Sequence, residues 1–222
     1  RPREQGGRGG GAEPLLKRAL EGRGHALGEN HPKTLSSAHN LGLLLQERGR
    51  PQEAEPLLRQ ALDGREQLLG AEHPETLSSA NNLAAALRSQ GRLREAEELY
   101  RRVLASREAA AGHSSPETLS SAHNLAQVLR QPGELEEAEM LYRRALGGFE
   151  QQLGAENMQT LTCARHFAVF LQQRGQLAEA EQLCRRALAG LEREQGGARH
   201  PQMAACAKVL AKVLEAQGRH DE

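Results

Sequence analysis

The 222-residue chain balances 29 Lys+Arg against 29 Asp+Glu, a formal net charge of zero, which argues against a nucleic-acid or polyanion binder working by bulk charge. Aromatic residues make up 2% and Trp is absent, so Leu and Ala must fill any core. Leu, Ala, Glu, Arg and Gln are strong helix formers and no β-branched alternation occurs, so the chain reads as all-α.

The N-terminal stretch "RPREQGGRGGGAE" is polar and Gly-rich, so residues 1–11 are expected to be disordered or the worn start of a repeat, with no signal peptide. From Ala12 a period of 42 residues takes over. "AEPLLKRAL" (Ala12–Leu20) returns as "AEPLLRQAL" (Ala54–Leu62). Gly49, Gly91, Gly133 and Gly175 keep the 42-residue spacing, as do Ala54, Ala96, Ala138 and Ala180. Gly218 comes 43 residues after Gly175, with the extra residue assigned to the loop "EQGGARHP". The predicted layout is the second helix of a truncated repeat over 12–30, repeats over 31–72, 73–114 and 115–156, a divergent repeat over 157–199, and the first helix of a truncated repeat over 200–222. A segment of a longer array is the expectation.

Each unit reads as two antiparallel helices. In the second full repeat the first helix opens at Pro74, whose missing N–H costs nothing at that position, and stops at Gly91. Ser115 is a good N-cap for its repeat; His31, His73 and His200 are poorer ones. Leu77, Ala80, Leu83, Ala84 and Leu87 form the apolar stripe. The second helix begins near Leu93 with Ala96, Leu99, Tyr100, Val103 and Leu104 on one face. Helices this short bury their stripes only by stacking, which predicts an α-solenoid. Gly22, Gly64, Gly148 and Gly190 share a register inside the second helix, with Ser106 as the exception; close helix approach or inherited drift would account for them. Pro14 and Pro56 should delay or bend the second helix, and Pro132 should shorten the helix before Gly133. Cys163, Cys184 and Cys206 fall in apolar patterns and read as small buried residues in a reducing compartment.

The residues "NNLA" (Asn81–Ala84), Gly91, "EAE" (Glu95–Glu97) and "LYRRVL" (Leu99–Leu104) resemble a tetratricopeptide repeat, over about 12–218. The ordinary repeat has about 34 residues; the longer form here, with its "LG…HP" connection, resembles the kinesin light chain type, shared with nephrocystin-3-like proteins and the repeat tails of signalling NTPases. The resemblance implies a right-handed superhelix of stacked helix pairs whose first helices line a concave groove. The heptads through which kinesin light chains hold the motor heavy chain are missing from these residues, so a kinesin heavy chain partner would need regions not present here.

No phosphate-binding glycine loop, HExxH, GxSxG or paired-cysteine metal site occurs, so no catalytic residue, metal or cofactor is expected. Ser36–Ser37, Ser78–Ser79 and Ser120–Ser121 read as small helix-surface residues. On a wheel of about 100° per residue, the face opposite the apolar stripe carries Ser36, Asn40, Leu43 and Glu47; then Ser78, Asn82, Ala85 and Ser89; then Ser120, Asn124, Gln127 and Gln131; then Thr162, His166, Val169 and Gln173. A carboxamide donates and accepts together, so an Asn row suits the backbone of an extended peptide; inter-helix bonding is the alternative. The flanking row runs His39, Asn81, His123, Arg165 and Lys208, with Arg88, Arg130 and Lys212 nearby. Its growing basicity points to an acidic segment or a C-terminal carboxylate, with a merely solvated basic face as the alternative. The reading is a non-enzymatic scaffold of the cytoplasm, open to cytoskeletal association. It binds protein or peptide partners, with no nucleic acid and no membrane insertion. The alternatives are the sensor tail of a signalling NTPase or a structural spacer.

Overall fold

The computed structural model describes residues 11–129, 132–195 and 201–218. The expectations for residues 1–10, Arg130, Gln131, His200 and the inserted loop residue fall outside that set. The described residues form ten α-helices, one 3-10 turn and no strand. In chain order these are α1 (Ala12–Leu27), α2 (Pro32–Glu47), α3 (Pro51–Leu69), α4 (Pro74–Ser89), α5 (Leu93–Ala111), α6 (Pro116–Ala126), the turn Pro132–Glu134, α7 (Leu135–Leu153), α8 (Met158–Gln173), α9 (Leu177–Gln195) and α10 (Pro201–Ala216). The chain divides between Ser106 and Arg107 into two compact units.

Helix starts are set by side-chain caps. His31 and His73 accept the N–H of Lys33 and Glu75 through Nδ1 at 3.2 Å, so these histidines cap after all. Ser115 accepts from Thr118 at 3.2 Å and Asn157 from Gln159 at 2.8 Å. The helices end on left-handed glycines. At Gly49 (φ 71°) and Gly91 (φ 80°) the next residues, Arg50 and Arg92, donate back to Leu45 and Leu87 at 2.9 and 3.0 Å, closing the open carbonyls. α6 departs from this plan: it has 11 residues where α2, α4 and α8 have 16. Pro132 stands where Arg48, Gln90 and Arg174 donate the last helical bond, and it has no N–H to give. Gly133 accordingly is not among the positive-φ glycines. Pro56, in contrast, sits inside a continuous α3, which begins at Pro51 and is not delayed.

In unit 1, Leu35 of α2 packs at Gly64 of α3 while Gly42 meets Leu58, a crossing that makes the two helices antiparallel. A Cβ on Gly64 would lie 2.5 Å from Leu35 Cδ2. In unit 2 the same hole recurs: Gly148 against Leu119 at 2.5 Å and Gly190 against Leu161 at 2.7 Å. Close approach is therefore the reason for these glycines, and Gly22, with nothing within 4 Å, lacks that reason. Leu35, Leu58, Leu83 and Leu87 in unit 1, and Leu119, Leu125, Leu161 and Leu171 in unit 2, are 2% exposed or less. Each contributes about 1.5–3 kcal/mol on burial.

A second, polar device locks each second helix to the next first helix. Arg23 donates to Ser37 Oγ (2.6 Å), Arg65 to Ser79 (2.7 Å) and Arg107 to Ser121 (2.8 Å), always fourteen residues apart. These serines are buried, not surface residues as their sequence suggests. Forty-two residues on, the couple becomes Phe149 and Cys163; in the next it is Leu191 and Cys206, which share an apolar cluster with Leu161 and Ala187. All three cysteines are free and buried; burial pushes the Cys163 and Cys184 thiols up to about 12.

Charges are paired along the second helices. Glu13 meets Lys17, Arg48 and Arg50; Glu55 meets Arg59 and Arg92; Glu66, Glu108 and Glu150 meet Arg102, Arg144 and Arg186. Hydrogen bonds from Lys17 and Arg50 hold the Glu13 carboxyl down to about 2. Among the described residues no helix is long and apolar enough to cross a membrane, and no three metal-capable side chains cluster.

Candidate functional site

The first-helix faces opposite the core stripe are open and polar. In unit 1, Asn40 is exposed and Ser36, Ser78, Asn81 and Asn82 are half-buried. Ser36 donates its hydroxyl to Pro32 O at 2.9 Å, as Ser120 does to Pro116 O, so each keeps only its lone pairs for a ligand in this conformation. Leu43, Ala85 and Arg88 are half-buried, while Glu47 and Ser89 are exposed.

His39 lies elsewhere than predicted. It is 8% exposed and sits in the seam between α2 and α4, not on the open wall. Its Nδ1 is 3.4 Å from Arg65 Nη1 and from Ser79 Oγ, and its Nε2 is 3.2 Å from the Asn82 carboxamide nitrogen. Arg65 can only donate, so Nδ1 accepts and the ring proton belongs on Nε2. The Asn82 amide then meets it with its oxygen, the flipped assignment of that group. Desolvation, with the Arg65 charge second, lowers the His39 pKa to about 4, so the ring is neutral at pH 7.

In unit 2, His123 is likewise 8% exposed and enters the seam between α6 and α8. Its Nε2 is 2.9 Å from His166 Nδ1, and His166 Nε2 is 2.7 Å from Arg165 Nη2. Because Arg165 must donate, the bonds run in one direction: Arg165 to His166 to His123. Both seams join residues 43 apart, His39 to Asn82 and His123 to His166. Position 82 thus both hydrogen-bonds across helices and reaches the wall. Arg165 and His166 are half-buried; Lys208 and Lys212 of α10 are exposed.

Two hollows open on the unit 2 wall. One, of about 280 Å³, takes in Ser120, Asn124 and Thr162 over a floor of Phe149 and Met158. The other, of about 270 Å³, takes in Gln127, His166, Val169 and Gln173 beside Tyr142 and Phe170. Every described residue of the predicted unit 2 stripe therefore lines a hollow. The hollow beside Tyr142 opens where α6 stops early, since Leu129 and Leu135, which flank the break, line it. The scarce aromatics concentrate here: Tyr142 stacks on Phe167 (5.3 Å between centroids) and tilts against Phe170 (5.4 Å). Sequence reasoning missed Phe149, Met158 and Gln159, because they face the wall from below or from the helix entrance.

The tetratricopeptide repeat profile matches residues 5–67, 44–109, 75–151 and 158–222. The chain belongs to the tetratricopeptide repeat family. Two crystal structures of the nearly identical repeats of a Podosopora anserina protein described as a kinesin light chain share 30% identity with this repeat chain. They match over 83% of it and 87% of their own length, at TM-scores of 0.68 and 0.66. BtubC (BKLC) from P. vanneervenii matches 94% of this chain and 84% of its own at 22% identity and a TM-score of 0.74. A Rap protein complexed with Competence and Sporulation Factor has the same fold at 16% identity and a TM-score of 0.52, over 94% of this chain and 59% of that one. No curated protein matches the sequence. The repeat chain is an α-solenoid scaffold for protein interaction, as its family and its kinesin light chain-like neighbours indicate.

Proposed function

We propose that the first-helix wall binds an extended peptide segment of a partner protein, in the manner of a cargo or adaptor domain, and that acidic residues of the segment are held toward α10. One observation carries the reading: all seven described stripe residues of unit 2 line hollows that open on the wall. The asparagines supply the grip. With its oxygen committed to His39, Asn82 keeps an NH2 to donate to a peptide carbonyl, and Asn40 is exposed with both ends. The exposed Lys208 and Lys212 supply charge-assisted partners for carboxylates. The likeness at 30% identity to repeats described as those of a kinesin light chain supports the cargo-adaptor form of the proposal.

The test uses short random peptides, fluorescein-labelled and sorted into acidic, neutral and basic pools, read by anisotropy. The acidic pool should bind most tightly. Replacing Asn40, Asn82 and Asn124 together by Ala should weaken it about 10-fold or more, since each lost bond is worth roughly 0.5–1.5 kcal/mol. Unchanged affinity with unchanged helical circular dichroism would sink the peptide reading. Equal binding of the three pools would sink the acidic part alone.

A further inference from the structure

The two seams that can be compared within a unit have the same backbone plan and opposite chemistry. Between α2 and α4, Arg65 comes up from α3, donates to Ser79 Oγ at 2.7 Å and reaches the carbonyl of Glu75 at 3.4 Å. Its Nη2 lies 3.3 Å from the Glu75 carboxylate. A buried guanidinium thus occupies the space beneath the wall, paired with a carboxylate that is exposed to solvent. Eighty-four residues later the same positions hold Phe149 for Arg65, Gln159 for Glu75, Met158 for Pro74 and Cys163 for Ser79. Both charges are gone at once. Where the Arg65 fork reaches His39 and Ser79, the shorter Phe149, 2% exposed, forms the floor of the hollow of about 280 Å³.

We infer that Phe149 makes the α6–α8 seam a socket for one uncharged, leucine-sized side chain of the bound peptide. The inference rests on the wall reading above and names what one part of that wall accepts. The charge pattern decides the occupant. A carboxylate or ammonium entering this socket would leave water and find no opposite charge among the lining residues, which are Ser, His, Asn, Phe, Met, Gln and Thr. An apolar side chain instead covers Phe149 and Met158 and leaves the rim groups Asn124 and Gln159 to hold its flanking amides. The floor is not itself on the predicted stripe, so it selects the ligand from below. Met158 is packed against the Leu161–Leu191 cluster, which fixes the floor in place.

The chain carries three methionines, which makes the test direct. Met158 lines the socket, Met140 is 66% exposed on α7, and Met203 packs in the core. Protein labelled with 13C at the methionine methyls is titrated with N-acetyl-leucine-N-methylamide, then with the capped aspartate and capped lysine. The capped leucine should shift the Met158 methyl saturably at roughly millimolar concentration, with Met140 and Met203 still. The charged probes should not shift it. Phe149→Arg combined with Cys163→Ser restores the Arg65–Ser79 couple and should abolish the shift; Thr162→Phe, at the half-buried rim, should abolish it without touching the floor. If the three probes shift Met158 alike, or if the capped leucine leaves it still, the socket is refuted. Peptide pools that bind the wall while Met158 stays silent would refute the socket and leave the wall reading standing.

Discussion

At the scale of the residue, the histidines show how a seam can hide in a sequence. His39 was expected on the open wall, and its burial between α2 and α4 gives it a structural task with a pH signature. The groups facing it are Arg65 from α3 and Ser79 and Asn82 from α4, with the Glu75 carboxylate farther out. Its folded pKa, about 4, lies below its ordinary value of 6.5, so between those pH values the unfolded chain binds the extra proton. The neutral ring's contribution is complete above pH 6.5, shrinks as pH falls through that window, and is gone below pH 4. The urea midpoint of the native chain should therefore fall between pH 6.5 and 4 more steeply than that of His39→Gln. Parallel curves would show that the ring titrates as if exposed. The asparagine beside it has two readings, ligand grip and inter-helix bond; at position 82 the structure shows the inter-helix bond to His39, and the grip proposed above falls to the other end of the carboxamide.

At the scale of the element, Gly147 and Gly148 form a natural control pair on α7. A Cβ at Gly148 meets Leu119 at 2.5 Å, and one at Gly147 meets nothing within 4 Å. Gly147→Ala should stabilise by up to about 1 kcal/mol through helix propensity alone. Gly148→Ala should destabilise by about 1–3 kcal/mol, because overpacking outweighs the same gain. Chemical denaturation of the two variants checks both signs. This register was legible because it repeats at Gly64 and Gly190 on a single helix face. So were the helix stripes and the glycine stops, which depend only on local spacing. The early end of α6 was legible from Pro132. The Arg–Ser couples were not: Ser37, Ser79 and Ser121 follow other serines, and nothing local says they are buried. The readable signal was a pair fourteen residues apart, Arg with Ser three times and then Phe with Cys, which a search for patterns within one helix cannot see. The wall hollows escaped for a similar reason, since each takes an aromatic ring, Phe149 or Tyr142, from the second helix α7.

At the scale of the whole molecule, zero net charge is the sum of many local neutralisations. Glu13 and Glu55 each hold basic partners on their own helix and on the next repeat, and the Glu66–Arg102 type of pair links successive second helices. Exposed pairs of this kind contribute about 0–1 kcal/mol each, so they tune the stacking without driving it. The apolar and Arg–Ser seams carry the rest, which predicts how the array tolerates loss of a repeat. Deleting residues 73–114 would bring Arg65 of α3 to Ser121 of α6, a matched couple. Deleting residues 115–156 would bring Arg107 of α5 to Cys163 of α8, leaving a guanidinium facing a thiol in a buried seam. The second deletion should be the less stable by about 1–3 kcal/mol, the cost of removing the hydroxyl acceptor from a half-buried guanidinium. Chemical denaturation of the two shortened chains, with Cys163→Ser as the rescue in the second, measures it. The seams thus behave like plugs of two incompatible gauges. Repeats that look interchangeable letter by letter are not, and the order in which this chain strings them is itself a heritable instruction that shuffling would erase.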